Sequence, residues 1–150
     1  MSRDRRIRVT KRFTMEIAHA LTGHDGPCKH MHGHSYVLDI TLSGEPMDRP
    51  ADPKNGMVMD FTDLKAIVQR RVVDHYDHAL VLHESERSAI DTDHPLFGRT
   101  HFTAWQPTCE NLLLDMIARI RSEFPAEVEL SHARLQETAT SWAEWHVGDR

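Results

Sequence analysis

Between Arg6 and His19 the chain changes polarity at almost every step, and no other feature restricts its fold as much. Ile7, Val9, Phe13, Met15 and Ile17 share one parity, which His19 continues, while Arg6, Arg8, Thr10, Arg12, Thr14 and Glu16 share the other. A period of two sends successive side chains to opposite faces of an extended backbone. The segment is therefore expected to be a strand with one buried face and one wet face. After the turn cluster Gly23-His24-Asp25-Gly26-Pro27, a second alternation runs through His34, Tyr36, Leu38, Ile40 and Leu42 and stops near Gly44. The two runs are expected to pair as a hairpin.

Glu45 to Gly56, with prolines at 46, 50 and 53, reads as a loop. Leu64, Ile67, Val68 and Val72 then recur at helical spacing, with Thr62 or Asp60 as the cap and Asp63 near the positive end. This first helix is expected to end near Asp74 to Tyr76, so that Asp77-His78 marks its exit. From about Leu82 to Gln106 no period is visible, and the stretch is open to three readings: a lid, an oligomer contact or an ornament. Pro107-Thr108 opens a second helix whose stripe Leu112, Leu113, Met116, Ile117, Ile120 and Phe124 ends before Pro125. Val128 to Thr138 and Ser141 to Val147 read as two further strands, with a bulge or shifted register around His132. The order ββααββ predicts an α+β fold, a four-stranded antiparallel sheet with both helices on one face, in one domain over residues 1–150.

The chemistry concentrates in Cys28-Lys29-His30-Met31-His32-Gly33-His34, which holds a thiol and three imidazoles within seven residues. His32 and His34 share a strand face and can offer two nitrogens to one ion. His30 shares their parity, but at about 3.3 Å per residue it lies roughly 13 Å from His34 along the backbone, while a zinc–nitrogen bond spans only ~2.0–2.1 Å. A neighbouring strand is the better source, and His19 has the right parity. The expected ligands are His19, His32 and His34, with an open fourth position. A His-x-His pair is also an ordinary half-exposed polar pair, and the chain carries 12 histidines. What raises the reading is the ordered set: Ala18-His19, Cys28-x-x-x-His32-Gly33-His34, Asp77-His78, Pro107-Thr108-x-Glu110 and Glu137-Thr138.

With that set in place the chain resembles, from about Arg8 to Trp145, the 6-pyruvoyl-tetrahydropterin synthase and 6-carboxytetrahydropterin synthase family. The resemblance implies that His19, His32 and His34 bind zinc (Zn2+) and that Cys28 abstracts a proton. It further implies that Asp77 and His78 assist Cys28 and that Glu137 grips a pterin, with Thr108 and Glu110 on the substrate side. The four-residue step from Cys28 to His32 is closer to the bacterial carboxy-forming branch than to the animal pyruvoyl-forming branch. The family fold is the tunnelling fold, in which protomers form an oligomeric barrel with sites between subunits, commonly as a hexamer of two stacked trimers. The 82–106 stretch is longer than in compact bacterial members.

Composition adds exclusions. At 39% hydrophobic and a formal charge of −5 the chain has enough apolar material for a core and no basic patch suited to nucleic acid. The basic start has no apolar run behind it and no stretch of some eighteen apolar residues occurs, so a cytoplasmic protein without a membrane partner is expected. The two cysteines, Cys28 and Cys109, are expected as free thiols, the second incidental.

Three neutral imidazoles leave a zinc ion its full charge for polarising hydroxyl or carbonyl oxygens. The resemblance implies 7,8-dihydroneopterin triphosphate as substrate. It also implies that Cys28 would take the side-chain proton, that triphosphate would depart and that, in the carboxy-forming branch, acetaldehyde would be released on the way to queuosine. A thiol of ordinary pKa, about 8.5, is only a few per cent ionised at neutral pH, so zinc, Lys29 or His78 has to help it. Two other readings stand beside this one: the pyruvoyl-forming reaction, and a structural-zinc domain in which Cys28 is a fourth ligand.

Overall fold

The alternating segments become two long strands in the computed structural model, which describes residues 5–149. β1 (Ile7–His19) and β2 (His32–Gly44) pair antiparallel along their whole length, from Ile7 opposite Gly44 to His19 opposite His32. The first helix (Phe61–Val68) is capped by Asp60, whose carboxylate accepts from the Thr62 N–H at 2.8 Å. It runs on through a π-helical stretch (Gln69–Val73) and a last turn (Asp74–Tyr76). The wider π turn brings both Val72 and Val73 onto the buried side. The second helix (Cys109–Ile120) is capped by the Thr108 hydroxyl, which accepts from the Asn111 N–H. β5 (Glu129–Thr138) and β6 (Ser141–His146) close the chain.

The expected four-stranded antiparallel sheet and ββααββ order are corrected here. With two further strands, β3 (Ala79–His83) and β4 (Thr100–Thr103), six strands form one mixed sheet, in the order β4-β3-β1-β2-β5-β6. The four anticipated strands are adjacent and antiparallel, but β3 and β4 add to the β1 edge, both parallel. β3 escaped sequence reading for a physical reason: Ala79 to Leu82 are all buried, so the strand reads as a short apolar run without alternation. β4 has four residues, too few for any period to show. The 82–106 stretch is thus partly regular, with short 3-10 turns at Glu84–Ala89 and Pro95–Phe97 between its strands.

Both helices lie on one face, as expected. Leu64, Val68 and Val72 from the first and Leu112, Met116 and Ile120 from the second join one cluster with Met15, Tyr36 and Leu38 of the sheet. Each such side chain contributes roughly 1.5–3 kcal/mol on burial. The core therefore holds β1 and β2 rigid up to the histidines at their ends. The anticipated irregularity near His132 is a bulge: Thr41 pairs with His132 and Leu42 with Leu130, leaving Ser131 as the extra residue. No helix is long and apolar enough to cross a membrane among the described residues.

Candidate metal and pterin site

The register of β1 and β2 sets His19 directly across from His32, with His34 two residues on along the same face. The ring centroids lie 4.5 Å apart for His19 and His32, 5.2 Å for His19 and His34, and 5.1 Å for His32 and His34. One nitrogen from each can be chosen so that all three are within 4.8 Å of one another. His19 is 2% exposed, and its Nδ1–H donates to the Pro107 carbonyl at 2.7 Å. His32 Nδ1–H donates to the His30 carbonyl, also at 2.7 Å. A carbonyl can only accept, so each Nδ1 carries the proton and each Nε2 presents a lone pair.

The Nε2 atoms of His19 and His34 are buried without a hydrogen-bond partner. An unsatisfied buried polar atom costs about 1–3 kcal/mol, and a cation shared by the three convergent nitrogens would relieve that cost. Burial, more than the neighbouring imidazoles, lowers the His19 pKa and keeps the ring neutral, as a ligand must be. The residues present fit zinc: three imidazoles at one open corner are a zinc donor set. The His30 side chain stays exposed and contributes only its carbonyl.

Glu137 stands beside this cluster. The β5–β6 register slips between Gln136 and Thr138, and the slip leaves Glu137 unpaired with β6 at the site. Its Oε2 accepts from the Tyr36 hydroxyl at 2.8 Å, and its Oε1 is 3.7 Å from His34 Nε2. Tyr36 is fully buried, and burial, followed by the Glu137 charge, pushes its phenol far above the ordinary range, so it remains a donor. In the sequence Tyr36 reads as one more apolar residue of the strand, and its place two residues after His34 is the signal of a role in the site. Cys109 donates its thiol to the Leu135 carbonyl at 3.3 Å, and burial together with the Glu137 charge pushes its pKa up to about 11. It is a protonated thiol packed against the core.

Cys28 sits half-buried on a 3-10 turn (Pro27–Lys29), and its carbonyl accepts from the Leu21 N–H at 2.9 Å, closing the β1–β2 connection. Gln106 clamps that connection from the far side, accepting from the Thr22 N–H and donating to the Thr22 carbonyl. Asp77 and His78 lie at the helix exit, as anticipated. The Asp77 carboxylate accepts from the Glu16 N–H at 2.9 Å and lies 3.1 Å from His78 Nδ1. His78 adopts φ 61°, and its side chain is 75% exposed. It borders a cavity with Glu16, Gly33, Ser35, Leu96 and Arg99. Within one chain no hydrogen bond or ion pair joins either residue to Cys28 among the described residues. Thr108 is occupied as the helix cap, and Glu110 is exposed in the first turn. The 82–106 stretch supplies Arg99, whose guanidinium donates to the carbonyls of Asp74, His75 and Asp77 and holds the helix exit in place.

Comparison with known proteins supplies the family and the fold. The family model described as 6-pyruvoyl tetrahydropterin synthase matches residues 8–147, and the chain belongs to that family. It is 33% identical over 142 residues to the 6-carboxy-5,6,7,8-tetrahydropterin synthase of Haemophilus influenzae, covering 93% of this chain and 98% of the relative. Among solved structures it resembles an uncharacterized protein from Wolinella succinogenes, with a TM-score of 0.76, 20% identity and coverage of 95% and 98%. It also resembles the 6-pyruvoyl tetrahydropterin synthase of Caenorhabditis elegans, with a TM-score of 0.65, 24% identity and coverage of 94% and 95%.

Proposed function

We propose that this chain is a zinc-dependent 6-carboxy-5,6,7,8-tetrahydropterin synthase. It converts 7,8-dihydroneopterin triphosphate to 6-carboxytetrahydropterin, acetaldehyde and triphosphate in the cytoplasm, and the product feeds queuosine synthesis. The observation that carries the reading is the set of three converging imidazoles beside the Tyr36–Glu137 pair. Zinc held by His19, His32 and His34 would polarise oxygens of the substrate side chain. Glu137, oriented by the Tyr36 hydroxyl, accepts from the adjacent amino and ring N–H groups of a pterin, and Thr108 and Glu110 border the same side. Cys28 removes the side-chain proton, His78 relays it and Asp77 orients His78.

No hydrogen bond or ion pair joins Asp77 or His78 to Cys28 within one chain among the described residues, which fits a site completed between copies, in a tunnelling-fold barrel built as a hexamer of two trimers. Residues 1–150 form a single catalytic unit in this reading. The test is product analysis after incubation with 7,8-dihydroneopterin triphosphate. Acetaldehyde and triphosphate together are expected. Triphosphate without acetaldehyde would transfer the assignment to the pyruvoyl-forming reaction, and the absence of both, with metal bound, to a structural-zinc domain.

A further inference from the structure

A second ligand triangle stands on the opposite, polar face of the sheet. His132 on β5 is paired directly with His146 on β6, and Glu144, two residues before His146, shares its face. This repeats the construction of the first cluster: two residues at i and i+2 on one strand, and a third across the ladder. His132 faces this way because of the Ser131 bulge. Leu130 is buried on the core side before the bulge, and Ala133 and Leu135 are buried after it, so the extra residue reverses the parity and sends His132 outward.

The geometry points to a second metal site, in which His132, Glu144 and His146 bind a divalent ion of the zinc, copper or nickel class. One ligand atom from each lies within 4.8 Å of the others. His132 Nε2 is 4.0 Å from a Glu144 oxygen and His146 Nε2 is 3.6 Å from the other oxygen. His132 Nε2 is buried and has no hydrogen-bond partner. The two rings stack at 4.2 Å, so binding an ion requires one of them to turn; His146, 51% exposed, has the room. Two imidazoles and one carboxylate form an N2O set, which favours borderline ions over magnesium or calcium. A cavity of about 650 Å³, bordered by Arg8, Thr10, Thr41 and both histidines, gives an ion access and leaves space for water to complete its coordination.

The neighbouring charges bear on how tightly the site holds its ion. Arg134 is 3.9 Å from Glu144, but it is also 3.9 Å from Asp39 and lies over the Trp142 ring at 4.3 Å. It can therefore release the glutamate without losing its own place. Arg8 at the cavity edge opposes a cation. Neither imidazole is anchored by a hydrogen bond through its other nitrogen among the described residues, so this site exchanges its ion more readily than the first.

The test is a titration of the full chain, already carrying its tightly held metal, with Zn2+ and separately with Cu2+. One further equivalent per chain is expected, removable by a mild chelator. His146→Ala, at a half-exposed position, abolishes that equivalent, His132→Ala does the same, and Glu144→Gln weakens it at least tenfold. His19→Ala removes the first equivalent and leaves the second, so failure of the zinc synthase reading would be seen separately. Saturation without an equivalent sensitive to His146→Ala overturns the proposal, as does equal binding of Mg2+ at the same residues.

Discussion

The clusters His19–His32–His34 and His132–Glu144–His146 are built by the same strand arithmetic on opposite faces of one sheet, yet their surroundings differ. In the first, His19 is 2% exposed and two rings are fixed by backbone carbonyls at 2.7 Å. In the second, the side chains of Glu144 and His146 are 42% and 51% exposed, and the rings rest on each other. Pairing register alone therefore yields a ligand triangle wherever polar residues align across a ladder. Burial and a second layer of hydrogen bonds turn one of them into a preorganised site.

The largest effect expected from breaking that contrast falls on the buried cluster. After a mild chelator wash, His19→Ala, His32→Ala or His34→Ala should each take the tightly held metal from about one ion per chain to none in elemental analysis, while His30→Ala keeps it. Retention of metal in His19→Ala would dissolve the distinction between the clusters. Cys28→Ala should keep its metal and lose turnover by about 10²–10⁴-fold, the usual reach of a positioned proton-transfer group; a metal-free Cys28→Ala protein would make the thiol a ligand.

Smaller effects sharpen the role of the second layer. Glu137→Gln places an amide donor against a donor on the pterin, and affinity for a simple pterin should fall by roughly 2–3 kcal/mol with metal content unchanged. Equal affinities would make Glu137 an ordinary acid. Tyr36→Phe removes only the hydroxyl that orients Glu137, and a loss of about 1 kcal/mol in the same assay is expected.

The smallest effect concerns a histidine pair that forms no triangle. His75 stacks on His101 at 3.9 Å, and burial, followed by the charge of Arg119, lowers its pKa to about 4. The unfolded chain takes up this proton near the ordinary pKa of about 6.5, before the folded one does. Stability from His75 is therefore complete above that pH and is lost as pH falls toward 4. In metal-free protein, His75→Gln should show a smaller drop in Tm between pH 7 and pH 4.5 than the parent. An identical drop would mean that His75 does not couple to folding.

Much of this was legible in the chain. The alternation through Ile7 to His19 and through His34 to Leu42, the helix start at Pro107-Thr108, the cap at Asp60, one of two candidates with Thr62, and the irregularity at His132 all became structure, because strand parity and helix starts are set by neighbours a few residues apart. The pairing of His19 with His32 and His34 followed from parity plus bond length. β3 was hidden because it is buried without alternation, and β4 because it is short. The partners that distinguish the sites were hidden for another reason. His19 meets the Pro107 carbonyl across 88 residues and Tyr36 meets Glu137 across 101, and a main-chain acceptor leaves no residue type to read.

By itself the sequence determined which side chains could face together: its periods specify parity, and parity is local. Only the tertiary structure decided which of those faces is dry, which nitrogen of each ring is held, and that a bulge at Ser131 would turn His132 toward Glu144 and His146. Those depend on registers between distant strands and on backbone groups that every residue carries alike.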